Sequence, residues 1–202
     1  MSWSDVERNA AEYILHAGRR NKCVVFERAQ GSRLWDIHGK QYLDTMSGSA
    51  GPAMVGHANP RVASAVASQM AKLPTTNVLH DSAPTANFCA KLAQITPPGL
   101  TKTFLCPGGG DAIEGAVKFA MRVTRRPGVI SLTGAYHGMS LATMSLGGMP
   151  VVQESLPRGV RWPTFQQVPS ADPYRPPLGS ERADPWRASI HALETAMDTS
   201  PG

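Results

Sequence analysis

The chain has 202 residues, 42% of them hydrophobic and 17% charged, with a formal net charge of +5. That length and apolar content suit one medium domain or two small ones and exclude a largely disordered chain. The basic residues are scattered, no apolar run is long enough to span a bilayer, and the N-terminus carries no signal-like segment, so neither a nucleic-acid partner nor a membrane is expected.

Residues 3–16 predict an opening helix with Val6, Ala10, Tyr13 and Ile14 on one face. A β-meander follows over 23–48, with turns at Gln30-Gly31 and His38-Gly39 and alternating apolar positions at Leu34, Ile37, Tyr42 and Leu43. Ser47–Gly56 reads as a Gly-rich loop. Asn59 and Pro60 then start a helix to about Leu73, as N-cap and first helical residue. A further helix is expected over Ser82–Ile95, closed by Thr96-Pro97-Pro98-Gly99.

From Lys102 the pattern becomes strand, helix, strand, the signature of a parallel α/β sheet. A strand at Thr103–Cys106 runs into Gly108-Gly109-Gly110, which open a helix whose Ile113, Val117, Ala120 and Thr124 share a face. A second strand, Val129–Leu132, ends in Gly134-Ala135-Tyr136-His137-Gly138. If the two strands are parallel, both loops leave the same sheet edge, where open α/β sheets bind ligands. Glycines before a helix let the backbone approach a ligand, and the unpaired N–H groups of the helix start suit a phosphate. The run is neither a P-loop nor a dinucleotide fingerprint, since its spacing fits neither. A phosphate cradle beside Tyr136-His137 outlines a site for a flat, phosphorylated ring.

Ser140–Leu146 predicts a short helix, Pro150–Trp186 an irregular proline-rich excursion, and Pro185–Met197 a last helix. Arg122–Arg126 is dense in positive charge at a helix end, where it complements the dipole and reads as a solvated end. Cys23, Cys89 and Cys106 are odd in number and without metal-ligand spacing, which reads as free thiols in a cytoplasmic protein. No histidine pair has helical ligand spacing, so no metal is expected. His57 reads as a structural hydrogen-bonder at a turn, His38 as solvated in a hairpin, and Arg175 as a loop anchor. A sheet with two identifiable strands is small against the usual ~5–6, so the chain is expected to be a piece of something larger.

Several motifs in order carry a resemblance. They are Gly31-x-x-Leu34-Trp35-Asp36-x-x-Gly39-Lys40-x-Tyr42-Leu43-Asp44, then Gly56-His57-x-Asn59-Pro60, then Pro98-Gly99-Leu100. The glycine loop with Glu114 and Ala116 follows, then Tyr136-His137-Gly138 and Pro173-Tyr174-Arg175-Pro176-Pro177. The chain resembles the N-terminal part of the class III (ornithine/4-aminobutyrate type) aminotransferases, pyridoxal-phosphate enzymes of fold type I. The resemblance implies an α/β fold: an incomplete, parallel-rich large-domain sheet with helices over residues 56–202, and a helix with β-meander over residues 1–55 belonging to the small domain.

The same resemblance implies a cofactor, pyridoxal 5'-phosphate, bound by Gly109 and Gly110 amides at its phosphate and by Tyr136 stacked on its ring, with His137 and Glu114 beside it. The Ser47–Ala53 loop corresponds to a segment lining the substrate pocket. It further implies amino transfer from an amine or amino acid to a keto acid, and a homodimer for the full-length parent. Two departures stand out. The usual Ser/Thr-Gly-Ser/Thr/Ala triplet is Gly108-Gly109-Gly110, so hydroxyl contacts to phosphate are lost, and the usual Asn before the glutamate is Ile113. The chemistry also needs a lysine to hold the cofactor and a carboxylate against its pyridine nitrogen. Lys22, Lys40, Lys72, Lys91, Lys102 and Lys118 include none aimed at the glycine loop, and Lys118 reads as a surface partner of Glu114 one turn away. Both groups are expected beyond residue 202, and the isolated chain is expected to be inactive. An aminomutase, a decarboxylating transaminase, or a non-catalytic chain that associates with a partner are the alternatives.

Overall fold

A computed structural model describes residues 2–14, 24–77, 79–153, 164–177, 184 and 186–199. The chain divides into two compact units, Met1–Phe88 and Cys89–Gly202, so residues 56–88 group with the N-terminal segment.

In the first unit α1 (Trp3–Tyr13) starts at a reciprocal cap. Asp5 N–H donates to Ser2 Oγ at 3.2 Å and Ser2 N–H to Asp5 Oδ2 at 3.0 Å, which satisfies two of the unpaired donors of the first turn. Val6 and Ala10 are half-buried as expected, whereas Tyr13 and Ile14 are exposed; residues 15 and 16 lie outside the described residues. The meander is present as β1 (Phe26–Gln30), β2 (Arg33–Asp36) and β3 (Gln41–Leu43), antiparallel in the order β1-β2-β3. Its turns fall where expected, with Gly31 and Gly39 at φ 56° and 79°.

Ile37 and Asp36 are buried and Tyr42 half-buried, but Leu43 is 70% exposed. Asp36 accepts from His38 N–H (3.0 Å), Lys40 N–H (2.9 Å) and the Tyr42 hydroxyl (2.9 Å). Burial alone would raise its pKa, yet these hydrogen bonds together hold it below the ordinary 3.8. The segment expected as a loop from Ser47 opens with one helical turn, α2 (Ser47–Ala50). α3 (Pro60–Lys72) begins as expected, with Asn59 Oδ1 accepting from Arg61 N–H at 3.0 Å and Val62 N–H at 3.4 Å. α4 (Ala83–Ile95) runs across the division between the units.

The second unit contains α5 (Gly109–Thr124), β4 (Val129–Leu132), α6 (Leu141–Leu146), α7 (Pro150–Gln153), β5 (Phe165–Val168) and α8 (Arg187–Thr199). β4 and β5 pair in parallel, Val129 opposite Phe165 through Leu132 opposite Val168. The expected strand at Thr103–Cys106 is not one: the segment has no ladder partner among the described residues. Side-chain packing on a helix holds it instead. The Phe104 ring lies where a Cβ on Gly115 would come within 3.1 Å of it, and it meets Phe119 edge-on at 5.4 Å.

The Pro150–Trp186 excursion is likewise corrected, since it contains α7 and β5. Two glutamines in Phe165-Gln166-Gln167-Val168 hid the strand. Their polarity has a structural use: the Gln167 amide donates to Leu146 O at 3.0 Å and the Ser131 hydroxyl to the same oxygen at 2.7 Å. Those bonds satisfy a carbonyl left unpaired at the end of α6. Met144, Leu146, Val152, Val168 and Ala196 form the buried apolar centre beside fully buried Thr143. The last helix is Arg187–Thr199, shifted two residues past the expected end; Pro185 lies outside the described residues.

Candidate functional site

Gly108 is the N-cap of α5, in extended backbone and without a side-chain cap. The first bond reaching back into the helix start is Ala112 N–H to Gly108 O at 3.1 Å. The N–H groups of Gly109, Gly110 and Asp111 therefore meet no acceptor among the described residues. A Cβ on Gly109 would touch nothing within 4 Å, so the space beside Gly109 is open, at the positive end of a 16-residue helix. That is the physical requirement for an anion site.

The loop leaving β4 comes to the same place. Gly138 stands at φ +133°, and a Cβ there would sit 2.8 Å from Gly110 Cα and 2.8 Å from Thr143 Oγ1. Only a residue without a Cβ allows this approach of two backbones. Tyr136 stands two residues before Gly138 on the same loop, and it is 58% exposed. His137 is half-buried and lines an apolar cleft of about 460 Å³ with Ile113, Ala116, Val129 and Leu146. The Tyr136-His137 pair thus splits between solvent and cleft.

Glu114, in the second turn of α5, accepts from the Ser140 hydroxyl at 2.6 Å. This replaces the expected i,i+4 pairing with Lys118. The bond joins residues 26 apart in the chain, and no sequence periodicity announces it. Of the other lysines, Lys40 lies 5.0 Å over the Tyr42 ring, Lys91 donates to Gln94 at 3.4 Å, and Lys22 falls outside the described residues. Among the described residues no group of three or more His, Cys, Asp or Glu could hold a metal ion.

In the first unit a second constellation stands by itself. Asp44, whose side chain is 7% exposed, accepts from Met46 N–H and Gly48 N–H at 2.8 Å each and from His57 Nε2 at 2.6 Å. The His57 hydrogen bond, then that from Met46, holds the Asp44 carboxyl below its ordinary 3.8 despite burial. His57 is also paired through its backbone with Gly31, N to O at 2.9 and 3.0 Å. The loop over 45–56 is so closed at both ends on the meander. His57 is the turn hydrogen-bonder the sequence suggested; its partner Asp44, 13 residues away, was missed. His38 is exposed and its Nε2 lies 3.0 Å from Glu7 Oε1. Arg175 is exposed over the Tyr174 ring at 5.7 Å.

Comparison with known proteins adds an independent finding. A family model described as aminotransferase class-III matches residues 14–200. An acetylornithine aminotransferase of Archaeoglobus fulgidus is 34% identical over 146 residues, 72% of this chain and 37% of that protein. A 5-aminovalerate aminotransferase of Pseudomonas aeruginosa is 40% identical over 131 residues, 63% of this chain and 30% of that protein. Among solved structures, an omega transaminase from Pseudomonas jessenii in complex with PMP superposes with a TM-score of 0.85 at 25% identity, over 95% of this chain and 45% of that one. The chain thus spans less than half the length of each of these relatives.

Proposed function

This chain belongs to the class-III aminotransferase family, has the fold of its transaminase relatives, and from that premise we propose that it binds pyridoxal 5'-phosphate for amino transfer between an amine or amino acid and a keto acid. The observation that carries the reading is the contact of Gly110 with Gly138. It brings the start of α5 against the loop that carries the exposed Tyr136, which supports the reading.

The residues present fit the group. The N–H groups of Gly109, Gly110 and Asp111 would receive the phosphate, and Tyr136 would stack on the ring, a contact worth ~0.5–1.5 kcal/mol beyond buried area. His137 and Glu114 flank these two elements. When bound, the cofactor supplies the electron sink on which breaking the bond at the amine carbon depends. This chain's residues bind and orient it, and none of the described lysines is assigned to hold its aldehyde. The homodimer that the resemblance implies for the full-length parent, and the cytoplasmic location read from the unpaired cysteines, belong to the same proposal.

The test is a titration of the chain with pyridoxal 5'-phosphate and with pyridoxal, followed by tryptophan fluorescence. The phosphate form is expected to bind at least tenfold more tightly, and Tyr136→Ala to weaken it by roughly 2- to 12-fold, as that stacking energy converts. Equal affinity for the two compounds would refute the amide cradle, and an unresponsive Tyr136→Ala would refute the stacking. No turnover of amine and keto acid is expected from the 202-residue chain alone.

A further inference from the structure

The loop from Tyr136 to Ser140 is tied to α5 at two points, and only one of them is the glycine contact. The other is the Ser140 hydroxyl on Glu114 Oε1 at 2.6 Å, the length of a charge-assisted O–H···O⁻ bond. Ser140 is at the same time the N-cap of α6. Its Oγ accepts from Thr143 N–H at 3.4 Å, and its own N–H donates to Thr143 Oγ1 at 3.0 Å. With the Ser140 proton committed to Glu114, the Thr143 hydroxyl proton is left for Ser140 O at 3.1 Å or Ser140 Oγ at 2.8 Å. Thr143 is fully buried, so this end of the network is anchored in the core of the unit. Glu114 lies one turn after Gly110 on the same face of α5.

We infer that Glu114 and Ser140 are positioning residues: their hydrogen bond latches the Tyr136 loop onto α5, holding the stacking ring at a fixed separation from the phosphate donors. The inference rests on the pyridoxal-phosphate reading above and adds to it a role for the hydrogen bond between this residue pair. Gly138 needs such a latch. Its backbone contact with Gly110 excludes a side chain but supplies no directional bond, and Met139 beyond it is exposed. Without the latch the loop can swing on its glycines, and ligand binding must supply the ordering.

Glu114→Ala is the informative variant, because alanine is the strongest helix former and leaves both α5 and the α6 cap intact. In the 202-residue chain without ligand, amide exchange at Tyr136–Ser140 is expected to quicken about tenfold, and the dissociation constant for pyridoxal 5'-phosphate to rise about 3- to 10-fold, as the loss of one partly exposed charged hydrogen bond predicts. Ser140→Thr, which keeps the hydroxyl, is expected to exchange and bind as the wild type does. In a double-mutant cycle Tyr136→Ala should cost less in the Glu114→Ala background than alone, since an unlatched ring contributes less. Unchanged exchange in Glu114→Ala overturns the latch. Quickened exchange with unchanged affinity, or a strictly additive cycle, overturns the positioning role. Failure of the wild type to bind the cofactor at all overturns the proposed function, and this role with it; wild-type binding that Glu114→Ala leaves unchanged overturns the positioning role alone.

Discussion

Three glycines at the site make a graded experiment, because the space around each is different. A Cβ at Gly138 would lie 2.8 Å from Gly110 Cα and 2.8 Å from Thr143 Oγ1, against about 3.5–4.0 Å for carbon atoms in comfortable contact. Both obstacles are firm: one is backbone and the other belongs to a fully buried threonine. Gly138 also stands at φ +133°, a conformation that costs a substituted residue ~1–3 kcal/mol. Overpacking adds a further ~1–3 kcal/mol, so Gly138→Ala should lose about 2–6 kcal/mol of stability. A Cβ on Gly110 would sit 3.7 Å from Gly138 Cα, ordinary contact, and one on Gly109 would touch nothing. Gly110→Ala should therefore change stability by less than about 1 kcal/mol. Gly109→Ala should be neutral, or gain up to ~1 kcal/mol from helix propensity. Urea denaturation followed by circular dichroism gives all three values. A loop that merely passes near α5 would tolerate the three alanines alike, and equal midpoints would refute the backbone interlock on which the site is built.

Gly108→Ser places a better N-cap at the head of α5, where Gly and Ser differ by a few tenths of a kcal/mol. It should raise the melting temperature slightly, read by a thermal melt followed by circular dichroism, and tighten pyridoxal 5'-phosphate binding a few-fold by adding a hydroxyl beside the amides, read by the titration already described. Asp36 and Asp44 have folded pKa values below 3.8, so their contributions to stability are complete above that value and are lost as pH falls through the depressed folded pKa. Circular dichroism from pH 6 downward should show acid unfolding of the first unit beginning below about pH 4, and Asp44→Asn should flatten that dependence; an unchanged acid profile would count against the Asp44 clamp. Phe104→Ala removes the ring that packs on Gly115 and Phe119. Because Phe104 is 62% exposed, the loss should be about 1–2 kcal/mol, below the 3–5 kcal/mol of a core aromatic.

Local rules were legible where local physics decides. The Asn59-Pro60 helix start and the glycine turns at 31 and 39 depend on residues within a few positions of one another. They read correctly for that reason. The errors share a different cause. Thr103–Cys106 has strand composition, but a strand exists only where a neighbour offers its hydrogen bonds, and here Phe104 finds a helix first. Phe165–Val168 was hidden because its glutamines look like loop residues until the Gln167 amide is seen to serve carbonyls at the end of α6. Pairs such as Asp44 with His57 and Glu114 with Ser140 carry no period and no cap signature. They are created by the fold and become visible only in it.

The glycine run changes how this site must work compared with a cradle that uses hydroxyls. Side-chain hydroxyls can rotate to meet a phosphate, whereas amides are aimed by the helix that bears them. With Gly108, Gly109 and Gly110 supplying backbone alone, the direction of the donors is set by α5 and the direction of Tyr136 by the loop after β4. Affinity then depends on the two elements being registered against each other before the ligand arrives. The structure has two devices for that registration, the Gly110–Gly138 approach and the Ser140–Glu114 bond, and they act in different ways. The first fixes distance by excluding a side chain; the second fixes direction by a hydrogen bond. Replacing glycine at 108 by serine should therefore make binding less sensitive to Glu114→Ala, because a rotatable hydroxyl can follow a phosphate that the ring has displaced. The affinity loss on Glu114→Ala should be smaller in the Gly108→Ser background than in the wild type. An equal loss in both would show that the amides and the ring are not coupled through this latch.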